Sequence, residues 1–309
     1  MQKIYMLVLL LYLGGYVYGQ KVVSVTIDDV PRVNKFAGEG FESGLLDRLD
    51  VLGIPVAVFI NEGLIYKTDS VVKNFDLLNR WVQRDYVTLG NHTYGHLRYS
   101  EVGYERFRAD IEKGEAITRA LSEVYDKELK YFRFPYNDLG GDSLQKQRIE
   151  SYLEEKGYII APFTVESSDW VFNYMYEYYL KHDNRAEAER IAETYISVTL
   201  EYFRYFDSLS VVQYDRHISQ IYLCHDNSIN TDCIGVLVER LKEEGYTFVG
   251  LAEAMKDKVY SQENNYYKKW GVSWFYRWME DKIKIRELMQ GEPDIMDIYK
   301  EYQEIQGKS

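Results

Sequence analysis

Short apolar runs rich in valine, isoleucine and aromatic residues alternate with segments of helical spacing along most of this chain, and that alternation constrains its fold more than any other feature. Residues 21–27, 56–60, 86–89, 131–134, 158–165, 220–223 and 247–250 read as strands. Helical patterns fall between them, at 44–52, 104–125, 143–156 and 233–244, and a last one follows at 251–255. The third has Ser143 as its cap and Gly157 as its stop. Strands separated by helices cannot pair as hairpins and predict a parallel sheet with covered faces. The expected fold is α/β, a distorted (β/α) barrel of about seven strands with its chemistry at the carboxyl ends of the strands.

Two stretches depart from the repeat. Within residues 171–218, Ile191, Tyr195, Val198, Tyr202 and Phe206 recur every three or four positions. That spacing predicts an amphipathic helical insertion packed beside the barrel. Residues 257–309 form a C-terminal extension. Its Trp270, Trp274 and Trp278 stand four apart and read as a core-facing helical stripe in preference to a sugar platform.

The 309 residues are 46% hydrophobic, enough to bury a large core. A net charge of −12 leaves no footprint for nucleic acid and favours a neutral or cationic partner. Lys3, the apolar run 4–13 and Val17-Tyr18-Gly19 have the pattern of a secretory signal over residues 1–19, with a mature chain from Gln20. The run is short for a membrane span, so a secreted or periplasmic protein with no stable span is expected. Cys224 and Cys233 read as two buried thiols in preference to a disulfide.

Polar motifs stand where the expected strands end: Thr26-Ile27-Asp28-Asp29, His92-Thr93-Tyr94-Gly95-His96, Arg133-Phe134-Pro135-Tyr136, Ser168-Asp169-Trp170 and Leu223-Cys224-His225. A helical turn would place His92 and His96 on one side, where with Asp29 they form a His-His-carboxylate set for a divalent metal, zinc above others. Three protein ligands leave positions open for water and substrate, and a bound Zn²⁺ lowers the pKa of its water toward ~7. The same set serves non-haem iron oxygenases. A flanking base, Asp28, and a flanking acid, His225, favour hydrolysis instead. Arg133 is placed to pair with Asp28, and Asp169 to hold the His225 imidazole. The Tyr136 N–H is a candidate oxyanion donor. Trp170, Leu223 and Pro135 are expected around a small acyl pocket. His182 and His217 read as solvated.

In this order the five motifs resemble the polysaccharide deacetylases, carbohydrate esterase family 4, with the NodB homology domain. The resemblance covers roughly residues 21–255 and implies a deacetylase domain over 20–256. It implies Asp28 as base, Asp29, His92 and His96 as metal ligands, Arg133 as the group orienting the base, Asp169 as the partner of His225, and His225 as general acid. It also implies a carbohydrate partner. Glu166 stands where the family's fourth motif has its first aspartate, and Asn137 where glycine often follows the third. The expected activity is metal-dependent removal of N-acetyl groups from an amino-sugar polymer or oligomer, peptidoglycan- or chitin-like. O-deacetylation of acetylated xylan uses the same site. An inactive glycan-binding module would have lost one of these polar residues.

Overall fold

The computed structural model describes residues 19–307; the secretory signal read at residues 1–19 lies outside them except for Gly19. Eight parallel strands form one sheet: β1 Lys21–Val30, β2 Val56–Ile60, β3 Val87–Asn91, β4 Leu129–Phe132, β5 Ile159–Ile160, β6 Val165–Glu166, β7 Gln220–His225 and β8 Tyr246–Phe248. Seven of them follow the order β5-β4-β3-β2-β1-β7-β6, and β8 pairs the first residues of β1. β1 is central and covered on both faces, with Val23, Val25 and Ile27 buried on one and Ser24 and Thr26 on the other.

The two ends of this order, β5 and β6, are joined by residues 161–164 alone. So short a link holds the ends near each other and curls the sheet into an almost closed barrel. The single strand expected at 158–165 is therefore two short ones with a seam between. Ala161 N–H bonds back to Phe132, Thr164 N–H bonds forward to Ile221, and Pro162 has no N–H to pair.

The helix expected at 104–125 is also two, Tyr104–Lys113 and Ala116–Val124. The chain breaks at Gly114, where a Cβ would lie 2.4 Å from the carbonyl carbon of Thr93. In the insertion, helix Asp169–Lys181 packs on helix Arg185–Tyr214, which buries Ile191, Tyr195, Val198, Tyr202 and Phe206 as its spacing predicts. His217 departs from expectation: it is paired with Asp207 at 2.7 Å, and Asp207 also takes Lys21 at 2.9 Å. His182 is exposed.

The tryptophan stripe is not one helix. Trp274 opens a single turn, Trp274–Arg277, and is buried, as is Trp278. Trp270 precedes the turn and is 65% exposed. Two more helices, Lys282–Gln290 and Met296–Gln306, complete the extension. Cys224 and Cys233 are buried free thiols. Among the described residues no helix is long and apolar enough to cross a membrane.

Candidate active site

β1 and β2 run in register to Ile27–Val58 and resume at Val30–Ile60, so β1 carries one extra residue over this step. Asp29 absorbs it in left-handed backbone, φ 60°. In a regular strand Asp28 and Asp29 would face opposite ways. The bulge turns both toward His92, whose Nε2 lies 3.9 Å from Asp28 and 3.8 Å from Asp29.

His92 and His96 are brought together by a loop, not by the helical turn expected from their spacing. Thr93 and His96 have φ of 66° and 53°. Thr93 N–H donates to Asn91 Oδ1, His96 N–H to Thr93 Oγ1, and Gly95 N–H to both oxygens of Asp110. Ligand atoms of Asp29, His92 and His96 all lie within 4.8 Å of one another. The His92 ring N–H at Nδ1 donates to the Arg133 carbonyl at 2.8 Å, which leaves the Nε2 lone pair toward Asp29. Burial pulls the His96 pKa down to about 4, so its ring is neutral. Burial would raise Asp29, but the His96, His92 and His225 charges outweigh it and hold the carboxyl below its ordinary range. Two imidazoles and a carboxylate fit a borderline divalent cation such as zinc.

Arg133 is fully buried and ties the site to the barrel seam. Its Nη1 donates to Asp28 at 3.0 Å and to Thr26 Oγ1 at 2.7 Å, and its Nη2 donates to Pro162 O at 2.9 Å. The Asp28 carboxylate is thereby fixed with its other oxygen toward His92.

On the far side, the β1–β7 register sets His225 opposite Asp28. The His225 imidazole bonds Asp169 Oδ1 at 2.7 Å, and its backbone N–H donates to Oδ2 at 2.8 Å. Asn227 and Asn230 complete the shell of Asp169 Oδ2, at 3.0 and 2.6 Å, and Tyr195 braces Asn230 in turn. Burial would lower the His225 pKa. The Asp169 charge and hydrogen bond, with Asp29 and Asp28 behind them, reverse this and raise it to about 10. The ring is thus a protonated acid at neutral pH.

Tyr136 sits in left-handed backbone with its ring edge against His96 at 4.5 Å, and the Arg98 guanidinium lies 4.0 Å over that ring. The Tyr136 N–H has no acceptor among the described residues. A cavity of about 700 Å³ takes in the Asp28, Asp29, His92, His96 and His225 side chains, with Leu223 and Trp170 in its wall. Pro135 is buried and is not among its lining residues.

The sequence reading missed Asn227 and Asn230, whose one visible signal is an Asn at the N-cap of helix Ser228–Glu243. It also missed Lys269 and Trp270, which reach the cleft from the extension. Arg98 donates to Lys269 O at 2.8 Å, and Arg277 to Asn137 O at 3.0 Å, so this arm is tied to the third motif.

The sequence profile of the polysaccharide deacetylases matches residues 16–157. Residues 16–157, just under half of the chain, are thus similar to the polysaccharide deacetylases. A peptidoglycan-N-acetylglucosamine deacetylase of Bacillus cereus is 24% identical over 153 residues, 50% of this chain and 48% of that protein. The chain thus spans about half the length of that curated relative. Among solved structures, a peptidoglycan N-acetylglucosamine deacetylase in complex with 4-naphthalen-1-yl-N-oxidanyl-benzamide is similar with TM-score 0.51 and 19% identity, over 77% of this chain and 89% of that one. A polysaccharide deacetylase from Bacillus cereus gives TM-score 0.50 and 19% identity, over 75% and 92%. At such identity the likeness shows the fold alone, a distorted (β/α) barrel. The matched segment holds Asp28, Asp29, His92, His96, Arg133 and Tyr136. Asp169 and His225 lie beyond it: the β1–β7 register brings in His225, and Asp169 joins through its hydrogen bond to that ring.

Proposed function

We propose that this protein is a secreted, metal-dependent deacetylase that removes N-acetyl groups from an amino-sugar glycan, peptidoglycan- or chitin-like. The observation that carries this reading is the convergence, in one cleft, of a ligand set with a braced carboxylate on one side and a protonated imidazole on the other. The name of the Bacillus cereus relative supports the substrate class.

Asp29, His92 and His96 would hold a divalent cation, zinc above others, which would supply Lewis-acid polarisation of water and carbonyl oxygen. Asp28, oriented by Arg133, takes the proton of the attacking water. The Tyr136 N–H donates to the carbonyl oxygen as negative charge develops on it. His225, held by Asp169, gives its Nε2 proton to the departing amine.

The test is acetate release from N-acetylglucosamine oligomers by the zinc-loaded protein, with acetylxylan in parallel and Asp28→Asn as control. General-base loss predicts a fall of about 10²–10⁴-fold in kcat for the variant. Unchanged turnover in Asp28→Asn refutes the role of Asp28, and release from acetylxylan alone moves the reading to O-acetyl groups.

A further inference from the structure

A second cavity, of about 490 Å³, opens beside the cleft and shares Phe163, Glu166, Ser168, Gly271 and Tyr299 with it. Its remaining wall comes from outside the barrel. Helix Arg185–Tyr214 supplies Tyr202, and the loop before helix Met296–Gln306 supplies Glu292 and Asp294.

Three acidic side chains line this chamber, with burial raising the Glu166 pKa to about 7 and that of Glu292 as well, and no lysine, arginine or histidine lines it among the described residues. Each carboxylate has one oxygen engaged: Glu166 by Ser168 N–H at 2.6 Å, Glu292 by Tyr276 OH at 2.6 Å, and Asp294 by Met296 N–H at 2.9 Å. The second oxygen of each has no donor among the described residues. Tyr202 also lines the chamber. The residue is only 7% exposed, yet its hydroxyl has no hydrogen-bond partner among the described residues. Burial and then the charges of Glu292 and Glu166 push its pKa up. The hydroxyl is not among the buried atoms left without a partner, so it stays open to bond an occupant of the chamber.

The chemistry of the occupant follows. Among the described residues only Asp29, His92 and His96 bring three ligand atoms within 4.8 Å, so these carboxylates are too spread for one metal ion. They suit a larger organic cation. The Tyr202, Tyr276 and Tyr299 rings add faces for a pyranose and for a cation. We propose that the chamber is a subsite for an amino-sugar unit bearing a free ammonium, next to the unit undergoing reaction. Naming that sugar rests on the deacetylase reading, because the free amine is the product of that reaction. Partly deacetylated chains are then better substrates than fully acetylated ones.

The test titrates glucosamine and N-acetylglucosamine into the full-length protein and into Glu292→Gln and Tyr202→Phe, followed by protein-observed NMR. Glucosamine is expected to bind more tightly than N-acetylglucosamine. It should lose about tenfold in Glu292→Gln, the scale of one charge-assisted hydrogen bond. Tyr202→Phe keeps the packing and should also weaken it. Equal affinity for the two sugars, or affinity unchanged in both variants, overturns the proposal. Glucosamine binding that Glu292→Gln weakens, with no acetate released from any oligomer, supports the chamber and refutes the deacetylase reading.

Discussion

At the residue scale, Asp29, Thr93, His96, Tyr136 and Ser168 all sit in left-handed backbone. For non-glycine residues this costs ~1 kcal/mol or more each. Hydrogen bonds to Thr93, Gly95 and His96 hold that geometry at the ligand loop. The Asp169–His225 pair makes two predictions. In the metal-free protein the His225 ring should titrate near about 10, since Asp169 outweighs burial. In Asp169→Asn only burial remains dominant, and the midpoint should fall below the ordinary 6.5. NMR titration of the ring reads both. The folded pKa lies above the unfolded one, so the pair adds stability below pH ~6.5 that is lost as pH rises through about 10. Asn230→Ala leaves Asp169 Oδ2 short of one donor. It should destabilise by about 1–3 kcal/mol in chemical denaturation and lower kcat more than it raises KM.

At the element scale, the ligand loop is fitted against its neighbours by glycines. A Cβ on Gly63 would lie 2.2 Å from Tyr94 O, and one on Gly114 2.4 Å from Thr93 C. Backbone cannot yield so far cheaply, so Gly114→Ala should cost about 1–3 kcal/mol. Its sharper signature is in metal binding. Zinc at about a hundred times its Kd should stabilise the wild type by about 2.7 kcal/mol. A shift of similar size in Gly114→Ala would show that the loop tolerates the change. The expected elements at 44–52 and 56–60 match the observed ones because their periodicity is a local signal. The break at 114 and the split of 158–165 were hidden, because each answers to a loop or seam distant in sequence.

At the scale of the whole molecule, the extension is part of the barrel wall. Trp274 N–H donates to Phe163 O at 2.9 Å, Ser273 Oγ to Thr164 O at 2.7 Å, and Phe275 packs on Phe206 at 5.9 Å. The boundary drawn at 256 marks a change of sequence pattern, and these bonds cross it. Trp274→Ala should therefore lower the stability of the entire protein by about 3–5 kcal/mol in one cooperative transition. A separate early transition for the extension would contradict this.

Sequence alone determined the parallel α/β class, the motifs at strand ends and the candidate residues Asp28, Asp29, His92, His96, Arg133, Asp169 and His225. Periodicity and residue chemistry are local properties, and the motifs have fixed spacing. Only tertiary structure decided that Asp28 and Asp29 face one way, because a bulge depends on the register of β1 against β2. It alone set His225 opposite Asp28 and surrounded Asp169 with Asn227 and Asn230. It alone separated Trp270 at the cleft from Trp274 in the core, since four-residue spacing means one face only where the backbone is helical throughout.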